Sequence, residues 1–171
     1  MARPDIDQVR KQELATTFRW NVRIDAPAGV RLPPVDFLCE SSELPASTHA
    51  PLEINMRGHK IKLNGIWSHS DEISLELYET VDNDVSIFIN EWRNRHWNMK
   101  DCSAEGSADI KTKVTLTRLD STDKEIYRYT LFGVMLGGYT IPRLDNASEA
   151  FKPTIALAYD YFEEQDLTRG R

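Results

Sequence analysis

The strongest constraint on this chain is a two-residue alternation of apolar and polar side chains. Phe18, Trp20, Val22 and Ile24 alternate with Arg19, Asn21, Arg23 and Asp25. That period places one face in a core and the other in water, as in a half-buried strand. Ile73, Leu75 and Leu77 alternate in the same way with Ser74, Glu76 and Tyr78. The stretch 110–119 is rich in Thr, Val and Leu. Across a turn at 120–124 it predicts a hairpin with 125–134, where Tyr127, Tyr129 and Leu131 alternate. Gly133, Gly137 and Gly138 break that pattern, and one closing strand is expected over 152–162. Shorter strands are expected at 35–40, 52–56 and 59–64, the last two joined by an Arg57-Gly58 turn. Only one segment has helical period: Val85, Phe88, Ile89 and Trp92, with His96 continuing the row. Asp82, Asn83 and Asp84 are capping types before it, so a helix over 84–97 is predicted. The pattern is mainly β, a sandwich or barrel with a helix covering an edge.

A length of 171 residues suits one domain over 1–171, and such a chain buries roughly 70% of its unfolded surface. Residues 1–15 read as a polar arm and 164–171 as a loose, charged tail. No apolar run approaches the ~18 residues of a membrane helix, and no secretory signal is evident, which predicts folding in a cytoplasm. Cys39 and Cys102 are too few for a disulfide scaffold and are expected as free thiols. The long polar connection 41–51, with Pro45, His49 and Pro51, is expected to lack regular structure and to carry function.

Residues suited to catalysis do not assemble into a motif. No two of His49, His59, His69 and His96 have the spacing of a helical metal site, and neither cysteine stands at zinc-ligand spacing from them. No metal and no cofactor is therefore expected. His69-Ser70-Asp71-Glu72 holds triad residue types in sequence, whereas a triad is built in space, so a solvated turn explains it better. Arg57-Gly58-His59-Lys60-Ile61-Lys62 is a basic cluster that could meet phosphate or form the solvated face of a hairpin. A β-barrel binding protein or enzyme would need a converging polar cluster, and none is visible.

Charge is uneven. The net charge is −6, and from Lys62 to Arg93 there is neither Lys nor Arg between them. That interval holds Asp71, Glu72, Glu76, Glu79, Asp82, Asp84 and Glu91. Such acidity argues against a dedicated nucleic-acid binder. It suits a solvated face, a surface that repels a polyanion, or a dock for a basic partner.

Four strings, in order, resemble the tail tube proteins of contractile-tailed phages. Phe37-Leu38-Cys39-Glu40-Ser41-Ser42-Glu43-Leu44-Pro45-Ala46 resembles their second strand and following loop. His59-Lys60-Ile61-Lys62-Leu63-Asn64-Gly65 resembles the next strand. The segment from Ile73 to Trp92 is similar to their central strand and helix. Phe151-Lys152-Pro153-Thr154-Ile155-Ala156-Leu157-Ala158-Tyr159-Asp160-Tyr161 is similar to their closing strand.

The resemblance implies two packed antiparallel sheets flanked by one helix. It implies a non-enzymatic virion protein whose subunits form hexameric rings, stacked into the inner tube of a contractile tail. Such a tube conducts DNA without binding it specifically. Type VI secretion and bacteriocin tubes share the fold and are the alternative reading. Implied partners are the subunit itself, a tail sheath, a baseplate and a tape-measure protein, with assembly in the host bacterial cytoplasm and residence in the virion tail. Leu44, Pro45, Ala46, Ser47, Thr48 and His49 match the loop that contacts the adjacent ring. Candidate bore residues are Glu40, Lys60, Lys62, Ser74 and Glu76, and candidate sheath-facing residues are Glu79, Asp84 and Glu91.

Overall fold

In the computed structural model residues 17–144 and 148–168 are described. The expected arm over 1–15 lies outside them, as does 169–171 of the expected tail. The chain runs β1 (Trp20–Asp25), α1 (Val35–Leu38), β2 (Cys39–Ser42), β3 (Ser47–Met56), β4 (His59–His69) and β5 (Glu72–Leu77). It continues with α2 (Asp84–His96), α3 (Ser107–Ile110), β6 (Thr112–Leu119), β7 (Glu125–Thr140), β8 (Thr154–Ala158) and β9 (Tyr161–Asp166). The architecture is mainly β, with two antiparallel layers and few helices.

The layers are joined through β7. Its first part pairs with β6 on one side and, over Tyr127–Phe132, with β9 on the other. Its second part, from Met135, pairs with β8. One layer is therefore β1-β6-β7-β9 and the other β7-β8-β5-β2. Gly133 sits at the bend with φ +66°, and a Cβ there would lie 2.0 Å from Asp160 Oδ2. Only glycine combines that backbone with that proximity. Asp160 in turn donates its N–H to Phe132 O and receives Lys111 Nζ at 2.7 Å.

Alternation was a sound guide to what is buried. Val22 and Ile24 of β1, Ile73, Leu75 and Leu77 of β5, and Ile155 and Leu157 of β8 are all buried in one cluster. Helix α2 adds Val85, Phe88, Ile89 and Trp92 to it. Each fully buried side chain of this size contributes roughly 1.5–3 kcal/mol. Cys39 and Cys102 are free thiols.

Several expectations are corrected. Residues 35–38 form a helical turn, and the strand begins only at Cys39: Pro33 and Pro34 precede it, and the N–H groups of Phe37 and Leu38 bond to Pro34 O. The connection after β2 is short, because Ser47–Met56 is already β3. The 102–109 loop contains α3. The glycines after 132 do not end β7; they let it turn. The closing strand is two strands, β8 and β9, broken beside that same bend. The expected loose tail is ordered as far as Asp166, because Glu164, Gln165 and Asp166 pair with Tyr129, Arg128 and Tyr127. Tyr127 Oη also donates to Glu164 at 2.5 Å.

The helix start differs as well. Asn83 is left-handed (φ 58°) and its side chain makes no capping bond. Glu79 does that work from outside the helix. Its carboxylate accepts from Thr80 N, Val85 N, Ser86 N and Ser86 Oγ. An anion at the positive end of a helix satisfies N–H groups left without helical partners. Replacing Glu79 by Ala is expected to cost about 1–2 kcal/mol, read as a melting temperature lowered by a few degrees with the fold retained; an unchanged melt would refute this role.

Candidate functional site

Strands β3 and β4 form a two-stranded sheet of their own, and neither packs extensively on any other element. At its tip Arg57 (φ 50°) and Gly58 (φ 82°) are both left-handed, the requirement of a tight two-residue hairpin turn. Leu52 faces Leu63, Ile54 faces Ile61 and Met56 faces His59. The intervening pairs are Glu53 with Lys62 and Asn55 with Lys60. The ribbon is thus apolar on one face and charged on the other. Glu53 holds Lys60 at 2.5 Å and Lys62 at 4.0 Å on the charged face.

A bulge adjusts the register. Between Ala50 and Leu52 the β3 strand has one residue where β4 has two, Asn64 and Gly65. The extra residue keeps Ile66 on the face of Leu63 and Ile61. Gly65 approaches the opposite strand so closely that a Cβ would lie 1.8 Å from Ala50 O. Its N–H donates to His49 Nε2 at 3.2 Å, and the His49 ring lies against Trp67 with centroids 5.0 Å apart.

The apolar face is uncovered. Leu52, Met56 and Ile66 are 57%, 58% and 78% exposed, and Ile54, Ile61 and Leu63 are exposed beside them. A continuous apolar face of this kind marks an interaction surface. An isolated hairpin is also marginal in water and needs packing to persist.

The arm is fixed at its base. Ser70 N donates to Ala46 O and Ala46 N to Ser70 Oγ. Ser70 Oγ and Tyr159 Oη are 2.6 Å apart, and the His69 ring stacks on Tyr159 at 5.1 Å. His69 Nδ1 lies 2.8 Å from the Ser70 carbonyl oxygen, not from its hydroxyl, so the string from His69 to Glu72 makes no triad. Among the described residues no group of three His, Cys, Asp or Glu is placed to hold a metal ion.

The other candidates fall in different places. Ser47, Thr48 and His49 are strand residues of the arm, while Leu44, Pro45 and Ala46 form its approach, with Pro45 buried and Leu44 exposed. Ser74 and Glu76 share the outward face of β5. Glu40 lies nearby on β2, bonded to Tyr78 Oη at 2.8 Å and to Lys152 Nζ at 2.7 Å. Those two donors, Lys152 first, hold its carboxyl below the usual range, so this tie persists through neutral pH and is lost as pH falls through that lowered value. Ser41 Oγ reaches Glu76. Lys60 and Lys62 are not with this group but on the arm. Glu79 is engaged by the helix start. Asp84 pairs with the Arg31 guanidinium at 3.2 Å, and Glu91 accepts Arg31 N–H at 2.7 Å. The carboxylates read from sequence as sheath-facing are therefore occupied within the subunit. Sequence reasoning missed the arm as a unit. The signal was present in the apolar alternation through Leu52, Ile54, Met56, Ile61 and Leu63, which no core receives.

Replacing Gly65 by Ala is expected to unpair the arm and leave the body intact. Hydrogen exchange would show lost protection confined to 47–69 with an unchanged global melt; full protection of the arm would contradict the assignment of Gly65.

No protein-family model matches the sequence, and no curated protein matches it. Solved structures do match its shape. A chain of the anti-feeding prophage baseplate, in a six-fold symmetrised structure, is 14% identical with a TM-score of 0.67, covering 91% of this chain and 98% of that one. A chain of the sheath–tube complex of an extracellular contractile injection system, in its extended state, is 14% identical with a TM-score of 0.63, covering 96% and 100%. The SPP1 tail tube is 11% identical with a TM-score of 0.57, covering 90% and 80%. Over nearly its whole length, the chain shares its fold with subunits of contractile injection systems and of a phage tail tube.

Proposed function

We propose that this chain is a structural, non-catalytic tube subunit. It assembles with itself into hexameric rings, and the rings stack into the inner tube of a contractile tail. The observation that carries this reading is the uncovered apolar face of the β3–β4 arm on an otherwise well-packed body. Six apolar side chains exposed in the monomer become worth roughly 1.5–3 kcal/mol each when fully buried. Burial against another copy uses that energy and shields the face from non-specific association. The loop match over 44–49 places the same region at the adjacent ring. Among the described residues β1, β2 and β9 each pair on one side only. Open edges invite pairing with a neighbour, and a ring removes them.

In this reading the outward face with Glu40, Ser74 and Glu76 lines the bore. Its carboxylates suit the passage of DNA, since retention works through phosphate neutralisation by Lys and Arg. Lys60 and Lys62 belong to the arm and not to the bore. A sheath lies outside, near the α2 surface carrying Glu79, Asp84 and Glu91, with exposed Asp82 beside them. Baseplate and tape-measure proteins would meet the tube's end and interior. The setting is a virion tail assembled in a bacterial host. A second reading, a secretion or extracellular injection tube, is favoured by the higher TM-scores to injection-system chains, 0.67 and 0.63 against 0.57 for the phage tail tube.

Negative-stain microscopy of the concentrated protein is expected to show six-fold rings or hollow rods. The double variant I54D/L63D should keep the circular dichroism and melt of the wild-type body and form neither. Rods of normal length from that variant would refute the role of the apolar face, and a wild-type protein that stays as small globules would count against the tube.

A further inference from the structure

The charged face of the arm carries information that burying its apolar face does not use. Residues 47–69 hold three cations, Arg57, Lys60 and Lys62, against one acid, Glu53. The chain as a whole is at −6, and the 70–92 segment that follows holds seven acids and no Lys or Arg. The arm is a basic projection from an acidic body.

This separation runs along the arm's length. Ten residues of β3, at about 3.3 Å each, place the tip roughly 30 Å from the base. Arg57 stands at the turn, and the Lys60 and Lys62 pairs follow it. Glu53 lies between both lysines, 2.5 Å from one and 4.0 Å from the other, so one carboxylate faces two ammonium groups. At the base, Asp71 and Glu72 are exposed and make no ion pair or side-chain hydrogen bond. The arm is thus positive at its free end and negative where it leaves the body. The Debye length of about 10 Å at 0.1 M salt is far shorter than the arm. The tip cations therefore do not neutralise their own base acids.

We propose that the occupant of the arm's charged face is a second copy of this chain, docked head to tail, with the tip at Arg57 and Lys62 against Asp71 and Glu72 at the base of the neighbour's arm. This deepens the tube reading and rests on it. The apolar face supplies the adhesion, and the charge dipole supplies the direction. Tip against tip and base against base are both repulsive, so an inverted ring is rejected and the stack has one polarity. Like-charge juxtaposition is a general means of excluding wrong arrangements. The contact is heterologous, the type that propagates instead of closing on a pair.

The test is a charge swap in the full chain, with sedimentable polymer and rod length as readouts. R57E/K62E leaves the Glu53–Lys60 pair in place, and D71K/E72K reverses the base. Each alone is expected to lower sedimentable polymer by about tenfold or more, as two attractions become repulsions, while the melt of the subunit stays at the wild-type value. The combined variant R57E/K62E/D71K/E72K restores opposed charges and should recover rods. Wild-type assembly should also weaken between about 0.1 M and 1 M salt, where the Debye length falls from ~10 Å to ~3 Å. Normal rods from R57E/K62E, failure of the combined variant to recover, or salt-insensitive assembly would overturn the head-to-tail contact and leave the tube reading standing. A wild-type chain that forms no polymer at any salt would overturn both.

Discussion

The fold depends on one strand serving two layers. β7 leaves β6 and β9 and joins β8 only because the backbone turns at Gly133, with Asp160 held beside it by Lys111 and by the Phe132 carbonyl. Without that bend the two layers could not close on one core. Val22, Ile24 and Val114 from one layer meet Ile73, Leu75 and Leu157 from the other in a single cluster, and α2 completes it with Phe88 and Trp92. The polar ties support this closure. Glu79 anchors the start of α2, and Asp84 and Glu91 bind Arg31 to it.

The arm follows the opposite logic. It has a good turn, a matched register and an amphipathic pattern, yet nothing within the subunit covers it. A ribbon built so regularly and left uncovered is incomplete as a monomer. The clamp at its base, from Ser70 to Ala46 and Tyr159, ties its position to the rigid body. A projecting element held at a fixed angle can present the same face in each copy, which repeated assembly requires. The magnitudes divide the roles. Burying six apolar side chains greatly outweighs exposed ion pairs of about 0–1 kcal/mol each, so adhesion belongs to one face and discrimination to the other.

Local pattern made some parts of this molecule legible and others not. Alternation identified the buried faces of β1, β5, β6 and β8, because period 2 reports directly which side meets the core. The helix was legible from Val85, Phe88, Ile89 and Trp92 for the same reason. Its cap was not, since Glu79 acts from outside the helix and Asn83, the expected capping type, is left-handed. The polar connection 41–51 read as irregular because Ser47, Thr48, His49 and Pro51 carry no alternation. Their strand structure comes from pairing with Trp67, Ser68 and His69, residues far along the chain. The carboxylates assigned to a sheath looked free in sequence, as any acid does until its partner is placed.

The sequence by itself determined the fold class, the core-facing residues and the uneven charge. These are properties of local order and composition, and burial must respect them. Tertiary structure alone decided that β7 is shared, that the tail from Glu163 to Asp166 is a strand, and that Lys60 and Lys62 leave Glu40, Ser74 and Glu76 for the arm. It also decided that the apolar alternation from Leu52 to Leu63 faces outward. An amphipathic strand reads the same whether its apolar side meets its own core or another copy. Only the folded chain shows that the core is already full and that this face is left over.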